Sequence, residues 1–342
     1  PQNFGGSYSL SIGDHFSNNS DTFINIEEKG LNETDNNLEF HGPLLFTNRG
    51  SFLVSARAYN SSGWLFGQNR FDIDDTVPIQ QYIQKAQIDM TEQERLSGIK
   101  IPDSLETGDE SFVPLNTKKT NSFFSKITLY PLKKLKFSYS LIYNNNKGKS
   151  YSNYRRYAPD GVPTRYQTDI NQIFSFNHML SDKLFYTLSF STFTKESKRF
   201  LYEDELNIKY QGSPFSSNGF SFGGTSNSRN KIRNSSNNFK FDITGQINQS
   251  NQVKVGFDYI AHNLDYYSMT TITKGPVTAL PILSIPQENT SGNNRYIKSP
   301  IEISFYIQNK IESDELIVNA GLRYDYWDAK SYVPSNPRAT TK

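Results

Sequence analysis

The sequence predicts an all-β protein whose strands form an antiparallel β-barrel that crosses a membrane. Three observations support this fold class. Segments of 10 to 12 residues alternate between apolar and polar side chains, and the connections between them alternate between short and long. The composition is poor in hydrophobic residues (35%) but rich in aromatic ones (14%). This balance argues against a large soluble core and also against disorder.

The strands follow from period-two alternation. In the clearest one, Phe239, Phe241 and Ile243 alternate with Lys240 and Asp242, so the two sets face opposite sides of a sheet. Most segments are long enough to cross a bilayer, which takes about 9–11 residues in a tilted strand. We predict eleven strands, at 6–12, 36–42, 51–60, 121–130, 135–144, 171–180, 184–194, 237–247, 252–261, 300–311 and 315–326.

The connections give the topology. They measure 23, 8, 60, 4, 26, 3, 42, 4, 38 and 3 residues in chain order, so long and short alternate throughout. In an antiparallel meander, all short turns then lie on one side of the sheet and all long loops on the other. Outer-membrane barrels have this asymmetry, with short periplasmic turns and long extracellular loops. Loops of this length are uncommon in compact soluble domains.

Alternation alone leaves a secreted β-sandwich or β-helix open. A sandwich buries its apolar face against a second sheet, whereas a membrane barrel turns that face to lipid and its polar face to the lumen. The long strands, the one-sided loops and the low apolar content favour the barrel.

The longest loop, 61–120, is predicted to be extracellular and to contain a short helix. Pro78 suits a first helical turn, and the apolar residues that follow at helical spacing are Ile79, Tyr82, Ile83 and Ala86. Thr91 and Glu94 have the spacing of a capping box and predict a second short turn. Such a loop needs a small core of its own to stay ordered; a ligand gate is the functional alternative.

A second loop supplies the candidate ligand-binding residues. Tyr151, Tyr154 and Tyr157 alternate with Arg155 and Arg156, before a turn at 159–161. Tyrosine rings and arginine side chains exposed on an outer loop could hold an anionic or sugar-like solute. A solvated loop tip is the alternative. Binding residues elsewhere are unknown from the sequence.

Several other chemistries are not supported. The chain has no Cys, a net charge of +2 and four dispersed His, which gives no thiolate site, no basic signature for nucleic acid and no recognisable metal motif. No stretch approaches the roughly 20 apolar residues of a membrane helix. The paired acids Asp74 and Asp75 are expected to be solvated, and 213–230 is expected to be a flexible loop rather than a phosphate-binding one. We predict no enzyme and no cofactor.

The last predicted hairpin carries a resemblance. The segments 304–310 (SFYIQNK) and 316–325 (LIVNAGLRYD), joined by a tight turn, resemble the barrel of a TonB-dependent outer-membrane receptor, particularly those of Bacteroidetes-like bacteria. The segment 62–67 (SGWLFG) and the hairpin layout are similar to that family as well. The resemblance implies a 22-stranded barrel closed by an N-terminal plug. It also implies a transport receptor that imports a scarce bulky solute, such as a siderophore, oligosaccharide, peptide or cobalamin, with energy supplied by TonB.

The resemblance also sets the expected extent of the domain. Residues 1–342 would be one partial barrel domain, the N-terminal half with about 10–11 of the 22 strands, truncated at both ends and without the plug. The expected partners are outer-membrane lipid, the missing plug and remaining strands, the TonB complex acting through the plug, and an extracellular solute. A porin-like or adhesin-like barrel without a plug and a secreted carbohydrate-binding β-protein remain the alternative functions.

Overall fold

A computed structural model gives the fold and describes residues 3–26, 31–89, 101–210, 215–217, 219–274 and 282–331. The predicted turn at Thr91 and Glu94 lies outside these residues. The strands are β1 (Gly5–Gly13), β2 (Glu33–Pro43), β3 (Gly50–Ser61), β4 (Phe66–Gln68), β5 (Phe112–Pro114), β6 (Lys118–Leu132), β7 (Leu135–Gly148), β8 (Thr164–Ser181), β9 (Leu184–Phe200), β10 (Phe215–Ser217), β11 (Phe220–Phe222), β12 (Ser228–Gln246), β13 (Asn251–Thr270), β14 (Ile272–Lys274), β15 (Ile282–Ser284), β16 (Asn293–Lys298), β17 (Ile301–Glu312) and β18 (Ile317–Asp328). The α-helix is α1 (Thr76–Asp89), and short 3-10 turns lie at Asp103–Leu105, Asn153–Arg155 and Pro159–Gly161.

Eleven long strands form one antiparallel sheet in the order β1-β2-β3-β6-β7-β8-β9-β12-β13-β17-β18. The short strand β16 also pairs with β13, on the long-loop side of the part that pairs with β17. Each of the eleven long strands corresponds to one predicted strand, so the all-β antiparallel prediction is confirmed. Within the described residues β1 and β18 each pair on one side only. The short turns all lie at one edge and the long connections at the other, as predicted.

The strands are longer than the alternation indicated. β8, β12 and β13 contain 18, 19 and 20 residues, and the excess lies on the long-loop side. β12 begins at Ser228, although its apolar alternation begins only at Phe239. A strand of this length exceeds what a bilayer requires, so these ends project beyond the membrane.

The register aligns the apolar positions across the sheet. One row of directly opposed residues crosses seven strands: Phe137, Phe176, Leu188, Phe241, Phe257, Phe305 and Tyr324. The adjacent row on the opposite face is polar: Asn177, Thr187, Asp242, Gly256, Tyr306 and Arg323. A one-residue slip in any strand would exchange the two faces. We call the apolar face outward and the polar face inward.

The buried apolar core lies outside this band. The buried hydrophobic residues among those described all lie on the long-loop side: Ile26, Phe66, Phe71, Ile79, Ile83, Leu115, Ala158, Val162, Tyr210 and Met269. In the outward band, by contrast, Phe305 is 53% and Leu322 79% exposed. A band of large exposed apolar side chains this wide requires an apolar environment, which lipid supplies. In the described part of the chain, no helix has the length and apolar character to cross a bilayer.

Candidate functional site

Three connections on the long-loop side form a single structured unit, which we call the loop assembly: 62–89 with 101–117, 149–163, and 219–227. Backbone hydrogen bonds join them. The Gln68 and Phe71 amides donate to the Arg156 and Tyr157 carbonyls at 2.8 and 3.0 Å, and the Gly224 amide donates to the Ile73 carbonyl at 2.8 Å. These hydrogen bonds connect the first of the three loops to each of the other two.

The loop assembly has a small apolar core. Its buried members are Phe71, Ile79, Ile83 and Ala158. The Phe71 ring meets Phe222 edge-on at 5.0 Å between centroids. The helix α1 is present as predicted, and its apolar stripe faces this core. The prediction that the long loop needs a core is confirmed, with the difference that all three connections contribute to it.

Asp75 ties the helix start to the chain that returns from it. Its Oδ2 accepts from the Asp72 and Thr107 amides at 2.9 and 3.0 Å, and its Oδ1 accepts from Thr107 Oγ1 at 2.6 Å. The side chain is 4% exposed. The expectation that this acid is solvated is therefore wrong, because three donors replace its water.

Arg155 is the buried arginine of the assembly. It is 7% exposed, and its Nη1 donates to the Gly223 and Gly224 carbonyls at 3.1 and 2.7 Å. Both glycines have positive φ, +61° and +70°, a conformation that turns the carbonyls toward the arginine and favours glycine. Burial lowers the pKa of the guanidinium, with the Tyr154 phenol opposing that effect. The described part of 213–230, predicted to be a loop, contains strands β10 and β11 and the start of β12.

The other candidate residues lie near Arg155 in the same segment, and they differ from it in their contacts and in their exposure. Tyr151 Oη donates to Asn153 Oδ1 at 3.2 Å, and Tyr154 is 36% exposed. Arg156 lies with its Cζ 5.8 Å from the Tyr157 ring centroid, and its Nη2 donates to the Asp21 carbonyl at 3.3 Å. Tyr154 is the most exposed and Arg155 the most buried.

The Tyr157 ring is sandwiched within the assembly. It packs against Phe220 at 5.0 Å between centroids, and the Arg70 guanidinium carbon lies 5.4 Å from its centre. Arg70 is held by Glu106 at 2.6 Å, whose hydrogen bond raises the pKa of Arg70. These contacts hold the Tyr157 ring in place within the loop assembly.

A second polar site, on the inward face of the sheet, was not identified from the sequence. The Tyr306 ring covers Gly256, where a Cβ would overlap it, and its hydroxyl donates to Asp242 Oδ1. The Lys254 ammonium lies 3.4 Å from the same carboxylate, and the Arg323 guanidinium carbon lies 5.7 Å from the ring centroid. A usable signal was present: an aromatic residue and a glycine occupy polar positions of adjacent strands, a combination typical of ring-over-glycine packing.

The comparisons with known proteins agree with this geometry. The family model described as TonB dependent receptor-like, beta-barrel matches residues 108–341. No curated protein matches the chain. Among the described residues, no group of three or more His, Asp or Glu could hold a metal ion.

Solved structures of similar fold include two transporters and a siderophore receptor. The ferric citrate transporter FecA in its unliganded form has a TM-score of 0.56 at 10% identity, covering 96% of this chain and 38% of that one. The outer membrane transporter YddB from Escherichia coli has 0.55 at 10%, covering 95% and 39%. The siderophore receptor PiuA from Acinetobacter baumannii has 0.52 at 11%, covering 95% and 42%. The chain thus spans about two fifths of the length of these structures.

The family match covers more than half of the chain and includes the hairpin at 304–325. The sheet supplies what membership in that family requires, namely long antiparallel strands, one apolar face, short turns at one edge and long loops at the other. The chain belongs to the TonB-dependent receptor β-barrel family, a family of outer-membrane receptors.

Proposed function

We propose that this chain forms part of the wall and the extracellular mouth of an active-transport receptor. The receptor binds a scarce bulky solute and imports it across the bacterial outer membrane with energy supplied by TonB. The observation that carries the proposal is the loop assembly. Three ordered extracellular connections stand over one edge of a sheet that belongs to the receptor family. An aromatic and basic surface at this position favours specific solute binding over a pore that selects solutes by size alone.

The solute class is supported by the structural neighbours. One is a ferric citrate transporter, and another is a siderophore receptor. A ferric siderophore is therefore the first solute class to test; an oligosaccharide, a peptide and a cobalamin follow.

The proposed architecture is one partial barrel domain over residues 1–342, with 61–120 as an extracellular loop. Further barrel strands would pair with the edges of β1 and β18 that have no partner among the described residues, since an unpaired edge in lipid leaves backbone groups without hydrogen bonds. A plug domain would fill the lumen against the charged inward face around Tyr306 and connect the receptor to the TonB complex.

Solute contact is proposed for the exposed part of the 151–157 segment. Tyr151 and Tyr154 offer ring faces, and Arg156 offers a guanidinium near the surface. Arg155 and Tyr157 hold these side chains in place, because their own polar atoms and faces are already engaged within the loop assembly. Tyrosine and arginine are enriched among residues that dominate binding energy.

The test is uptake by cells that express the full-length receptor. Ferric siderophores, oligosaccharides, peptides and cobalamin are supplied in turn, with and without the TonB gene. We expect uptake of one class that requires both the receptor and TonB. Uptake that persists without TonB would favour the porin-like alternative. A protein recovered outside the outer-membrane fraction would favour the secreted alternative.

Two double variants, one in the loop and one at the opposite edge of the sheet, test the loop. Tyr154→Ala with Arg156→Ala should weaken solute binding and leave barrel assembly intact. Replacement of Lys133 and Lys134 in a short turn at the opposite edge should leave binding unchanged. Equal binding by both pairs would remove the 151–157 segment from the site.

A further inference from the structure

A cavity of about 420 Å³ opens at the extracellular ends of β6, β7 and β8. Its lining includes four cations, Lys118, Lys147, Lys149 and Arg165, together with the amides of Asn116 and Gln167. Its volume is within the range of about 300–1,000 Å³ that is common for small-molecule sites. No acidic residue lines it.

The register explains how the cations meet. Lys118 is directly opposite Gly148, and Gly148 is directly opposite Arg165. The two long basic side chains thus stand on either side of a position without a side chain. A Cβ at Gly148 would lie 2.4 Å from the Thr117 carbonyl oxygen, so the backbone excludes a side chain at this position.

Lys118 and Arg165 belong to the inward face, whereas Lys147 has the outward parity and its ammonium lies 5.5 Å from the Tyr166 ring centroid. On β8, Arg165 has the parity of Ser175 and Asn177, and the ladder runs without a shift from Thr164 to Met179. The outward parity contains Phe174 and Phe176. The row formed by Lys118, Gly148 and Arg165 therefore lies on the lumen side of the sheet, at its extracellular end.

The positive charge of the cavity is not neutralised by ion pairs. Within the described residues, no carboxylate lies within 4.0 Å of any of the four cations. The acids nearest in register have other donors. Glu33 accepts from Tyr59 and Ser61, and Asp169 accepts from Gln167 Nε2 at 2.9 Å. The chain has 36 basic and 34 acidic residues. A general excess of basic residues therefore does not explain the cluster of cations at this cavity.

One of the lysines is also partly desolvated. Burial lowers the pKa of Lys149; the Asp160 carboxylate opposes this effect, and the Lys147 ammonium adds to it. A desolvated cation beside other cations is unfavourable unless an anion approaches. Anionic oxygens would reduce this repulsion. They would also accept hydrogen bonds from the paired N–H groups of the Arg165 guanidinium.

We propose that this cavity binds a solute that carries at least two anionic groups, carboxylates or phosphates, during its capture at the extracellular mouth. The proposal rests on the proposed transport function and names the chemistry of the solute. Lys118 and Arg165 contact the anionic groups from either side of Gly148, and Lys149 contributes from the rim.

The experiment uses the purified full-length receptor in nonionic detergent. Tricarballylate, a tricarboxylate, and inorganic pyrophosphate are titrated by calorimetry at low and at high salt. The test variant is Lys118→Ala with Arg165→Ala. The control is Lys119→Ala with Lys198→Ala, which changes the net charge equally but on the outward face. Heat-modifiable migration on gels verifies assembly, and Lys118→Gln with Arg165→Gln replaces the alanine pair if that pair does not assemble.

We expect the receptor to bind at least one probe at low salt and more weakly at high salt. The inward pair should lose about tenfold or more in affinity, and the outward pair about twofold or less. The stronger probe tells carboxylate from phosphate recognition. Binding of neither probe, or equal losses in the two pairs, would overturn the anion site. TonB-dependent uptake by the same receptor would still support the transport function, whereas its absence would remove that function and this proposal with it.

Discussion

Leu188 and Thr187 are adjacent on β9 and face opposite sides of the sheet, which makes them a sharp test of the assignment of faces. Leu188 lies opposite Phe176 and Phe241 in the outward row. Thr187 lies opposite Asn177 and Asp242 in the inward row. β9 begins at Leu184 after a short turn, so both residues lie near the middle of a strand segment that crosses the bilayer. Replacing each in turn by Arg keeps the depth and the new side chain the same.

The two costs differ because the two environments differ. Arginine on the lipid face near the midplane costs about 2–4 kcal/mol. On the inward face, Thr187→Arg loses the hydrogen bond from Thr187 Oγ1 to Asn177 Oδ1 at 2.8 Å, a loss of about 1 kcal/mol. The Asp242 carboxylate directly opposite offers the new guanidinium a partner, which offsets part of that loss. We therefore expect Leu188→Arg to cost about 2 kcal/mol more than Thr187→Arg.

The measurement is equilibrium unfolding of the full-length receptor in lipid vesicles, followed by tryptophan fluorescence. Leu188→Ala serves as a control for lost packing without added charge, and it should destabilise less than Leu188→Arg. Equal free energies of unfolding for the two arginine variants, or a larger loss for Thr187→Arg, would refute the assignment of the apolar face to lipid.

Three further predictions concern the long-loop side. Arg155→Ala should release the glycine pair that it holds, so limited proteolysis within the loop assembly should accelerate while heat-modifiable barrel migration is unchanged; unaltered cleavage would contradict this role. Asp75→Ala should cost the assembly about 1–3 kcal/mol, seen as faster hydrogen exchange of the Thr107 amide, and unchanged exchange would show the contact to be unimportant. An epitope tag inserted at Asn289, an exposed position, should be reached by antibody on intact cells and one at Ser250 should not; the reverse pattern would invert the topology.

The strands were predictable because lipid imposes a simple rule on them. Most outward positions between the interfaces are apolar, so a period of two is visible without any tertiary information. The rule stops where the strand leaves the membrane. The first nine residues of β12, 228–236, continue the ladder with β13, and from Asn230 also with β9, beyond the apolar band. Their sequence, SRNKIRNSS, contains no alternation to detect.

The loop assembly was predictable only where local periodicity shapes it. The helix α1 has an apolar stripe, and that stripe was visible. Its packing partners, Ala158 and Phe222, come from two other connections, and no local pattern links them. Arg155 shows the limit most clearly. The local sequence does not show whether an arginine is buried or exposed. Arg155 is buried because it donates to the Gly223 and Gly224 carbonyls, which are distant in sequence.

The two faces of the sheet explain why structure adds most on the side where solute is expected. The outward face needs only to be apolar, and many residues satisfy that requirement equally well. The inward face and the extracellular ends combine charges and glycines whose effect depends on register, as when Lys118 and Arg165 stand across Gly148 or Tyr306 covers Gly256. A shift of one residue in β7 would leave its composition unchanged and remove the cavity between the two cations. The proposed anion site therefore depends on strand pairing as much as on residue type.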